Sequence, residues 1–153
     1  MFSLSVAFDI NKGIGINGSL PWHIKEELAL FKQNTLHHNI IMGKTTYKGL
    51  PNKLKDRNIY VVTSQKEQID DVIIINDFDK FLKENVDSEI EYIICGGASI
   101  YKQAYPYCKK AYVSLIKGDF DTDTSFKCFD RADWNIIESK EYDKFTYYNL
   151  ERK

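Results

Sequence analysis

The sequence predicts an α/β protein built on a mainly parallel sheet. Short apolar runs alternate with helix-like patterns along most of the chain, and two of these runs end in glycine directly before a helix. Such alternation favours parallel pairing, because a helix carries the chain back between two parallel strands. The last two runs have only a short turn near Asp143-Lys144 between them, which predicts an antiparallel edge.

The individual elements follow from hydrophobic patterning in chain order. Leu4 to Phe8 is predicted to be a buried strand, and a glycine-rich loop then leads to a helix from about Lys25 to Thr35. Further strands are predicted at Asn39–Met42, Ile59–Thr63, Val72–Ile75, Ile90–Cys95, Ala111–Lys117, Trp134–Lys140 and Phe145–Leu150. Helices are predicted from Lys44, over Phe78–Lys83 and over Ser99–Ala104.

Length and composition fit one globular domain spanning residues 1–153. The 153 residues are 43% hydrophobic and 14% aromatic, which is enough for one core and too apolar for disorder. A formal net charge of -1 without a basic stripe argues against a nucleic-acid-binding protein. Three widely spaced cysteines, no signal-like N-terminus and no apolar run of ~20 residues predict a cytoplasmic protein without a membrane helix.

Glu27 is the leading candidate functional residue. It lies in the predicted helix beside Leu28 and Phe31, shortly after Leu20-Pro21-Trp22. A carboxylate among apolar neighbours is costly unless it is paired. It can accept two adjacent N–H donors, such as those on the edge of a pterin or another aminopyrimidine. An ordinary solvated helix glutamate is the alternative interpretation.

Two strand-to-helix turns are candidate phosphate sites. One strand runs into Gly96-Gly97, and another ends at Gly43 before Lys44, Thr45 and Thr46. Backbone N–H groups in such turns can hold phosphate, and open α/β sheets bind ligands at the carboxyl ends of their strands. Two such turns in one small domain favour a dinucleotide over a single nucleotide. A plain tight turn at Gly96-Gly97 is the alternative.

The segment from Gly13 to Gly18 matches GxGxxG without its structural context. In a dinucleotide-binding fingerprint the glycines open a helix directly, so that its N-terminal amides meet a pyrophosphate. Here the segment from Ser19 to Trp22 intervenes. We therefore expect a flexible loop that covers a site.

No metal site is predicted. Asp119, Asp121 and Asp123 are spaced as in a calcium loop, but Thr124 stands where that loop needs glycine. The adjacent histidines His37-His38 do not point at one centre. A solvated loop is the better interpretation of the three aspartates.

Taken together, these segments resemble dihydrofolate reductases of the bacterial type over nearly the whole chain. The matching runs, in order, are Ser3–Ala7, Ile14-Gly15, Leu20-Pro21-Trp22, Glu27-Leu28, Phe31-Lys32, Asn34-Thr35, Ile41-Met42-Gly43, Thr46, Leu54, Arg57, Thr63-Ser64-Gln65, Gly96-Gly97, Ile100-Tyr101, Asp123-Thr124 and Phe126. The resemblance implies a mixed, mostly parallel eight-stranded sheet with flanking helices. It also implies NADPH-dependent reduction of 7,8-dihydrofolate to 5,6,7,8-tetrahydrofolate, antifolate-like ligands and a monomer.

The resemblance gives Glu27 the role of the family's single active-site acid. It would pair with the pterin 2-amino group and ring N–H and favour protonation of N5, while hydride passes to C6. A water admitted beside Leu20 and Trp22 would carry the proton. The implied catalytic set is Glu27, Trp22, Leu20, Tyr101 and Ser114, where the Ser114 hydroxyl replaces a threonine that usually hydrogen-bonds the acid.

The resemblance also implies a set of substrate contacts. They are Ser5, Val6, Ala7, Leu28, Phe31, Lys32, Leu50, Leu54, Arg57 and Cys95. Arg57 matches the residue that clamps the α-carboxylate of the glutamate tail, a task suited to the guanidinium fork. Cys95 replaces an aliphatic residue at the rim of the pterin site.

The cofactor contacts implied by the resemblance are Ala7, Ile14, Gly15, Gly18, Leu20, Gly43, Lys44, Thr45, Thr46, Thr63, Ser64, Gly96, Gly97, Ala98, Ser99, Ile100 and Tyr101. Lys44 and Ser64 would lie near the 2′-phosphate, and Asp123 would brace the loop at Gly15 in its closed form. Gly96-Gly97 matches a pair whose peptide bond is cis in the family. Lys44 and Ser99 stand where arginines are common, which weakens the expectation of strict NADPH use over NADH.

Two other functions remain open at this point. A reductase of a pyrimidine in riboflavin synthesis shares the architecture and cofactor, although Glu27 after Leu-Pro-Trp, together with Arg57, favours folate. A non-catalytic cofactor-binding protein could also keep the fold. The intact acid, loop and glycine pair count against that second alternative.

Overall fold

A computed structural model describes residues 1–15, 20–50 and 54–153. The strands are β1 (Phe2–Phe8), β2 (Gly13–Gly15), β3 (Asn39–Gly43), β4 (Asn58–Val62), β5 (Ile73–Ile75), β6 (Tyr92–Ile94), β7 (Cys108–Ile116), β8 (Thr124–Ser125), β9 (Trp134–Glu141) and β10 (Phe145–Arg152). The helices are α1 (Lys25–Thr35), α2 (Lys44–Lys48), α3 (Phe78–Asn85) and α4 (Ala98–Ala104). Short 3₁₀ turns occupy Tyr105–Tyr107 and Arg131–Asp133.

Eight strands form one mixed sheet in the order β5-β4-β3-β6-β1-β7-β10-β9. Every neighbouring pair from β5 to β7 is parallel, whereas β10 is antiparallel to both β7 and β9. The predicted mostly parallel sheet with an antiparallel edge is therefore confirmed. The parallel order brings the carboxyl ends of β3, β6 and β1 together, which places the two glycine turns and the end of β1 at one rim.

The central strand β1 separates two packed layers. Its alternate side chains Phe2, Leu4, Val6 and Phe8 enter the main core, which also takes residues from α3 and α4. On the opposite face, Ala7 packs against a second cluster that contains Trp22 and anchors the start of α1. The described helices include none that is long and apolar enough to cross a bilayer.

The glycine-rich segment differs from its prediction. We expected a flexible loop from Gly13 to Gly18, but Gly13–Gly15 forms β2, which pairs antiparallel with β8 in a separate two-stranded sheet. Gly18 lies outside the described residues.

The physical reason for this order is the buried carboxylate of Asp9. Its Oδ1 accepts the N–H groups of Asn11 and Gly13 at 2.9 and 2.8 Å, and its Oδ2 accepts the N–H of Phe120 at 3.0 Å. One side chain thus fastens the start of the glycine-rich segment to the distant chain before β8.

Candidate active site

Glu27 lies in the first turn of α1 and faces β7. The hydroxyl of Ser114, a buried residue of β7, donates a hydrogen bond to its carboxylate. Burial raises the pKa of Glu27, and the bond from Ser114 opposes that rise without cancelling it. Ser114 is paired in register with Ala7 of β1, so the acid lies over the middle of the sheet.

Tyr101 reaches the same site from α4. Its hydroxyl donates to the backbone oxygen of Ser5 at 2.7 Å. Burial is the main cause that raises the pKa of Tyr101 well above its usual value, and nearby Cys95 and Glu27 raise it further. Tyr101 therefore stays neutral at physiological pH, and Glu27, Ser5 and Cys95 all lie in its neighbourhood.

Trp22 closes the site beside the start of α1. Its indole is buried and packs edge-on against Phe120, with ring centroids 5.3 Å apart. The indole Nε1 is also buried and has no hydrogen-bond partner among the described residues. Because buried donors are almost always paired in proteins, this N–H favours a water or ligand partner at the site.

Several apolar residues predicted to line the site are partly or largely exposed. Leu20 and Leu28 are 49% and 41% exposed. Phe31 lies one turn further along α1 and is half-buried. Leu50 and Leu54 pack against a third apolar cluster, which contains Met42. These side chains therefore keep apolar surface that a ligand could contact.

Arg57 is held at the opposite end of α1 from Glu27. Its Nε donates to Oγ1 of the buried Thr35 at 2.8 Å, and a terminal nitrogen donates to the backbone oxygen of Lys55 at 2.8 Å. The guanidinium carbon lies 6.0 Å from the ring centre of Phe31. Thr35 follows Glu27 by eight residues, or ~12 Å along the helix axis, so acid and guanidinium flank an elongated apolar surface.

The two glycine turns lie side by side at the rim of the sheet. The N–H of Gly43 donates to the oxygen of Gly96 at 2.9 Å. Gly96 has a φ of +122°, which strongly favours glycine, and the Gly96-Gly97 peptide bond is cis, as the resemblance implies. A Cβ on Gly97 would lie 3.1 Å from Oγ1 of Thr46. A side chain at either position would therefore crowd Thr46 or strain the backbone, so this rim requires glycine.

Lys44 follows Gly43 at this rim and is already paired. Its Nζ donates to Oε1 of Gln65 at 2.6 Å and to Oε2 of Glu67 at 2.7 Å. Neither partner was predicted from the sequence to be a site residue. The only signal was their position just after Thr63-Ser64 at the end of a neighbouring strand.

The remaining candidate residues differ in how far they are buried. Val6 turns its side chain into the main core, so only its backbone can face this site. Lys32, Thr45, Ser64 and Ser99 are exposed, and Thr63 is buried. Ile14 packs against the main core from β2, and the N–H of Asp123 donates to the oxygen of Gly15 at 2.9 Å. A backbone hydrogen bond thus joins the two segments, and the bracing role of Asp123 stays a prediction.

Comparison with known proteins gives a consistent result. Residues 1–152 match the family model described as dihydrofolate reductase. The dihydrofolate reductase of Bacillus subtilis is 32% identical over 142 residues, covering 92% of this chain and 84% of that protein. The dihydrofolate reductase of Mycoplasma genitalium is 34% identical over 148 residues, covering 92% of both.

Similarity extends to solved structures. A dihydrofolate reductase from Enterococcus faecalis, complexed with NADP(H) and RAB-propyl, has a TM-score of 0.88 against this chain. The two share 27% sequence identity, and the match covers 100% of this chain and 96% of that one.

Proposed function

The chain belongs to the dihydrofolate reductase family, and we propose that it reduces 7,8-dihydrofolate to 5,6,7,8-tetrahydrofolate with NADPH, using Glu27 as its active-site acid. The observation that carries this assignment is the partly buried carboxylate of Glu27, hydrogen-bonded by Ser114 and flanked by apolar side chains. The alternative pyrimidine substrate of riboflavin synthesis is not favoured, because the matched family and relatives are dihydrofolate reductases.

Glu27 has the chemistry to recognise and protonate a pterin. Its two oxygens can accept the 2-amino and ring N–H groups as a pair, which fixes the orientation of the ring. Its raised pKa lets the acid hold a proton closer to neutral pH than an exposed glutamate does. When bound, NADPH supplies the hydride that is delivered to C6.

Trp22 and Tyr101 position the proton transfer to N5. The buried Nε1 of Trp22 is the donor we assign to a water that lies between Leu20 and Glu27. That water would relay the proton, so Glu27 need not touch N5. Tyr101 stays protonated and, through its bond to Ser5, holds the rim of the site in place.

Arg57 is proposed to bind the glutamate tail of the substrate. Its bonds to Thr35 and Lys55 fix the guanidinium plane beside Phe31. The separation of Arg57 from Glu27 along α1 suits a ligand with a pterin at one end and a carboxylate at the other. Leu28, Phe31, Leu50 and Leu54 would line the apolar stretch between them.

The glycine rim is proposed to hold NADPH. Backbone N–H groups in the turns at Gly43 and Gly96-Gly97 would approach the diphosphate, with Thr45 and Thr46 adding hydroxyls. Lys44 and Ser64 would meet the 2′-phosphate. We also propose that residues 1–153 act as one cytoplasmic domain, a monomer that binds antifolate-like molecules and no nucleic acid.

The test is dihydrofolate-dependent oxidation of NADPH, followed by absorbance, for the wild type, Glu27→Gln and Glu27→Asp. We expect Glu27→Gln to lower kcat/KM by about 10²- to 10⁴-fold, the usual contribution of a general acid. Glu27→Asp keeps the carboxylate and should retain much more activity. Turnover in Glu27→Gln equal to the wild type would refute the role of Glu27, and NADPH binding without any wild-type turnover would refute the activity.

A further inference from the structure

The amine that the proposed function gives to the 2′-phosphate is neutralised by an acid of the same chain. Nζ of Lys44 lies 2.7 Å from Oε2 of Glu67, and the two side chains are only 23% and 27% exposed. We propose that Glu67 is a specificity-determining residue that lowers the preference of this enzyme for NADPH over NADH. This inference rests on the proposed function, because it requires Lys44 to lie at the adenosine ribose.

Partial burial makes this pair more than a solvated surface contact. Charges that are shielded from water interact through a lower effective dielectric and are screened less by salt. Gln65 accepts a second hydrogen bond from the same amine at 2.6 Å. Lys44 is therefore held toward Glu67 by two acceptors before any anion approaches it.

A 2′-phosphate at Lys44 must either displace the carboxylate of Glu67 or lie close to it. Displacement breaks a charged hydrogen bond, and coexistence places two anions around one amine. Both routes lower the affinity for the phosphorylated ribose. Neither applies to NADH, which carries no 2′-phosphate.

The surroundings of Glu67 add to the negative charge. Glu67, Asp70 and Asp71 line one open cavity of about 400 Å³, together with apolar residues that include Ile69 and Ile74. Exposed Lys66 is the neighbouring base in sequence. The cavity beside Glu67 is therefore lined by acids and by no lysine or arginine among the described residues.

NADH can form a hydrogen bond with the carboxylate of Glu67. Its ribose has a free 2′-hydroxyl, which can donate to a carboxylate as it does in many NAD-dependent enzymes. Glu67 would thus repel one cofactor and bind the other. The simpler alternative is that Glu67 swings away from Lys44 at no cost and leaves the cofactor preference unchanged.

The test compares binding of matched ligands to the wild type and Glu67→Gln. Dissociation constants for NADPH and NADH are measured by tryptophan fluorescence quenching, and those for adenosine 2′,5′-bisphosphate and 5′-AMP by calorimetry. We expect Glu67→Gln to tighten both 2′-phosphorylated ligands about five- to tenfold, the effect of removing one partly shielded charge. NADH and 5′-AMP should bind equally well or more weakly. Equal changes for both ligand classes, or no change, would overturn the proposal.

Two further variants separate this inference from its premise. Glu89→Gln removes an exposed carboxylate near the amino end of β6, away from the glycine rim, and should leave all four affinities unchanged. Lys44→Gln should weaken NADPH but not NADH. If Lys44→Gln changes neither, the placement of the 2′-phosphate fails and the role of Glu67 fails with it. If Lys44→Gln weakens NADPH while Glu67→Gln does not alter the NADPH-to-NADH ratio, only the role of Glu67 is refuted.

Discussion

The hydroxyl of Ser114 donates a hydrogen bond to the carboxylate of Glu27 and joins β7 to the first turn of α1. The bond stabilises the charged carboxylate, whereas burial stabilises the neutral acid. Burial is the larger effect, so the pKa of Glu27 ends above its ordinary value of 4.5. Ser114 therefore limits how far the proton affinity of Glu27 can rise.

Removing that hydroxyl should shift the pH dependence of the reaction. In Ser114→Ala, we expect the pKa of Glu27 to rise further, because the only opposing effect is lost. The measurement is the pH profile of kcat/KM with dihydrofolate, in which the inflection where the rate falls as Glu27 loses its proton should move to higher pH. Ser114→Thr keeps a hydroxyl and should leave the inflection in place. An unmoved inflection in Ser114→Ala would show that the bond does not tune the acid.

The same burial should make Glu27 costly for stability at neutral pH. Between pH 4.5 and the raised pKa of the folded protein, the unfolded chain releases the proton of Glu27 while the folded protein keeps it. The contribution of Glu27 to the free energy of unfolding is thus fully present below about pH 4.5, and it is lost as the pH rises through that window. Glu27→Gln should raise Tm at pH 7 relative to the wild type, and this gain should disappear toward pH 4. Its exposed neighbour provides the control variant Glu26→Gln, which should show no such trend.

Thr35 should control binding of the substrate tail through Arg57. Thr35→Val removes the oxygen that accepts the hydrogen bond from Nε of Arg57, while it keeps the shape of the side chain. We expect the KM for dihydrofolate to rise about three- to tenfold, the usual effect of losing one hydrogen bond. A dihydropterin without the glutamate tail should show the same KM in both proteins, and Thr35→Ser should behave as the wild type. Equal losses for the two substrates would contradict a tail-specific role.

Gly13 should be required for the contact between β2 and the segment before β8. A Cβ at this position would meet the side chain of Thr122, with Cγ2 and Cβ only 2.7 and 2.9 Å away. Gly13→Ala should therefore destabilise the protein by about 1–3 kcal/mol in urea unfolding, as other overpacked sites do. It should also lower activity, because β2 leads into the segment that carries Leu20.

A double-mutant cycle with Thr122→Ala checks the cause. Thr122→Ala removes the hydroxyl and methyl groups that the new Cβ would meet, so most of the lost stability should return in the double variant. Additive losses in the cycle would place the effect of Gly13→Ala in the backbone rather than in this contact.

Features set by short-range pattern could be predicted from the sequence. The helix over Lys25–Thr35 was predicted to the residue, because its start and its periodicity lie within one local window. Gly43 and Gly96-Gly97 were likewise visible as strand ends before helices. The contact between Ser114 and Glu27 was expected only through the family resemblance, since nothing in the local sequence joins β7 to α1.

Features that depend on distant partners could not be predicted in this way. Asp9 precedes a glycine-rich segment, but its partner Phe120 is 111 residues away, so the order of β2 was missed. The sequence around Glu67 gave no signal that it lies near Lys44, because only the parallel pairing of β3 with β4 brings the segment after β4 to that lysine. Val6 was predicted to contact the substrate with its neighbours; because strand alternation turns its side chain to the other face, that prediction now concerns its backbone alone.

The position of β10 between β7 and β9 has a consequence for synthesis of the chain. Translation produces β9 before β10, yet among the described strands β9 pairs only with β10. Until the ribosome has released residues up to Arg152, Trp134–Glu141 emerges as a strand with both edges unpaired, and its Ile136 and Ile137 are still 47% and 59% exposed in the finished fold. A strand with unpaired edges is prone to self-association. During synthesis, β9 therefore depends on the later strand β10 to pair with it and to limit its aggregation.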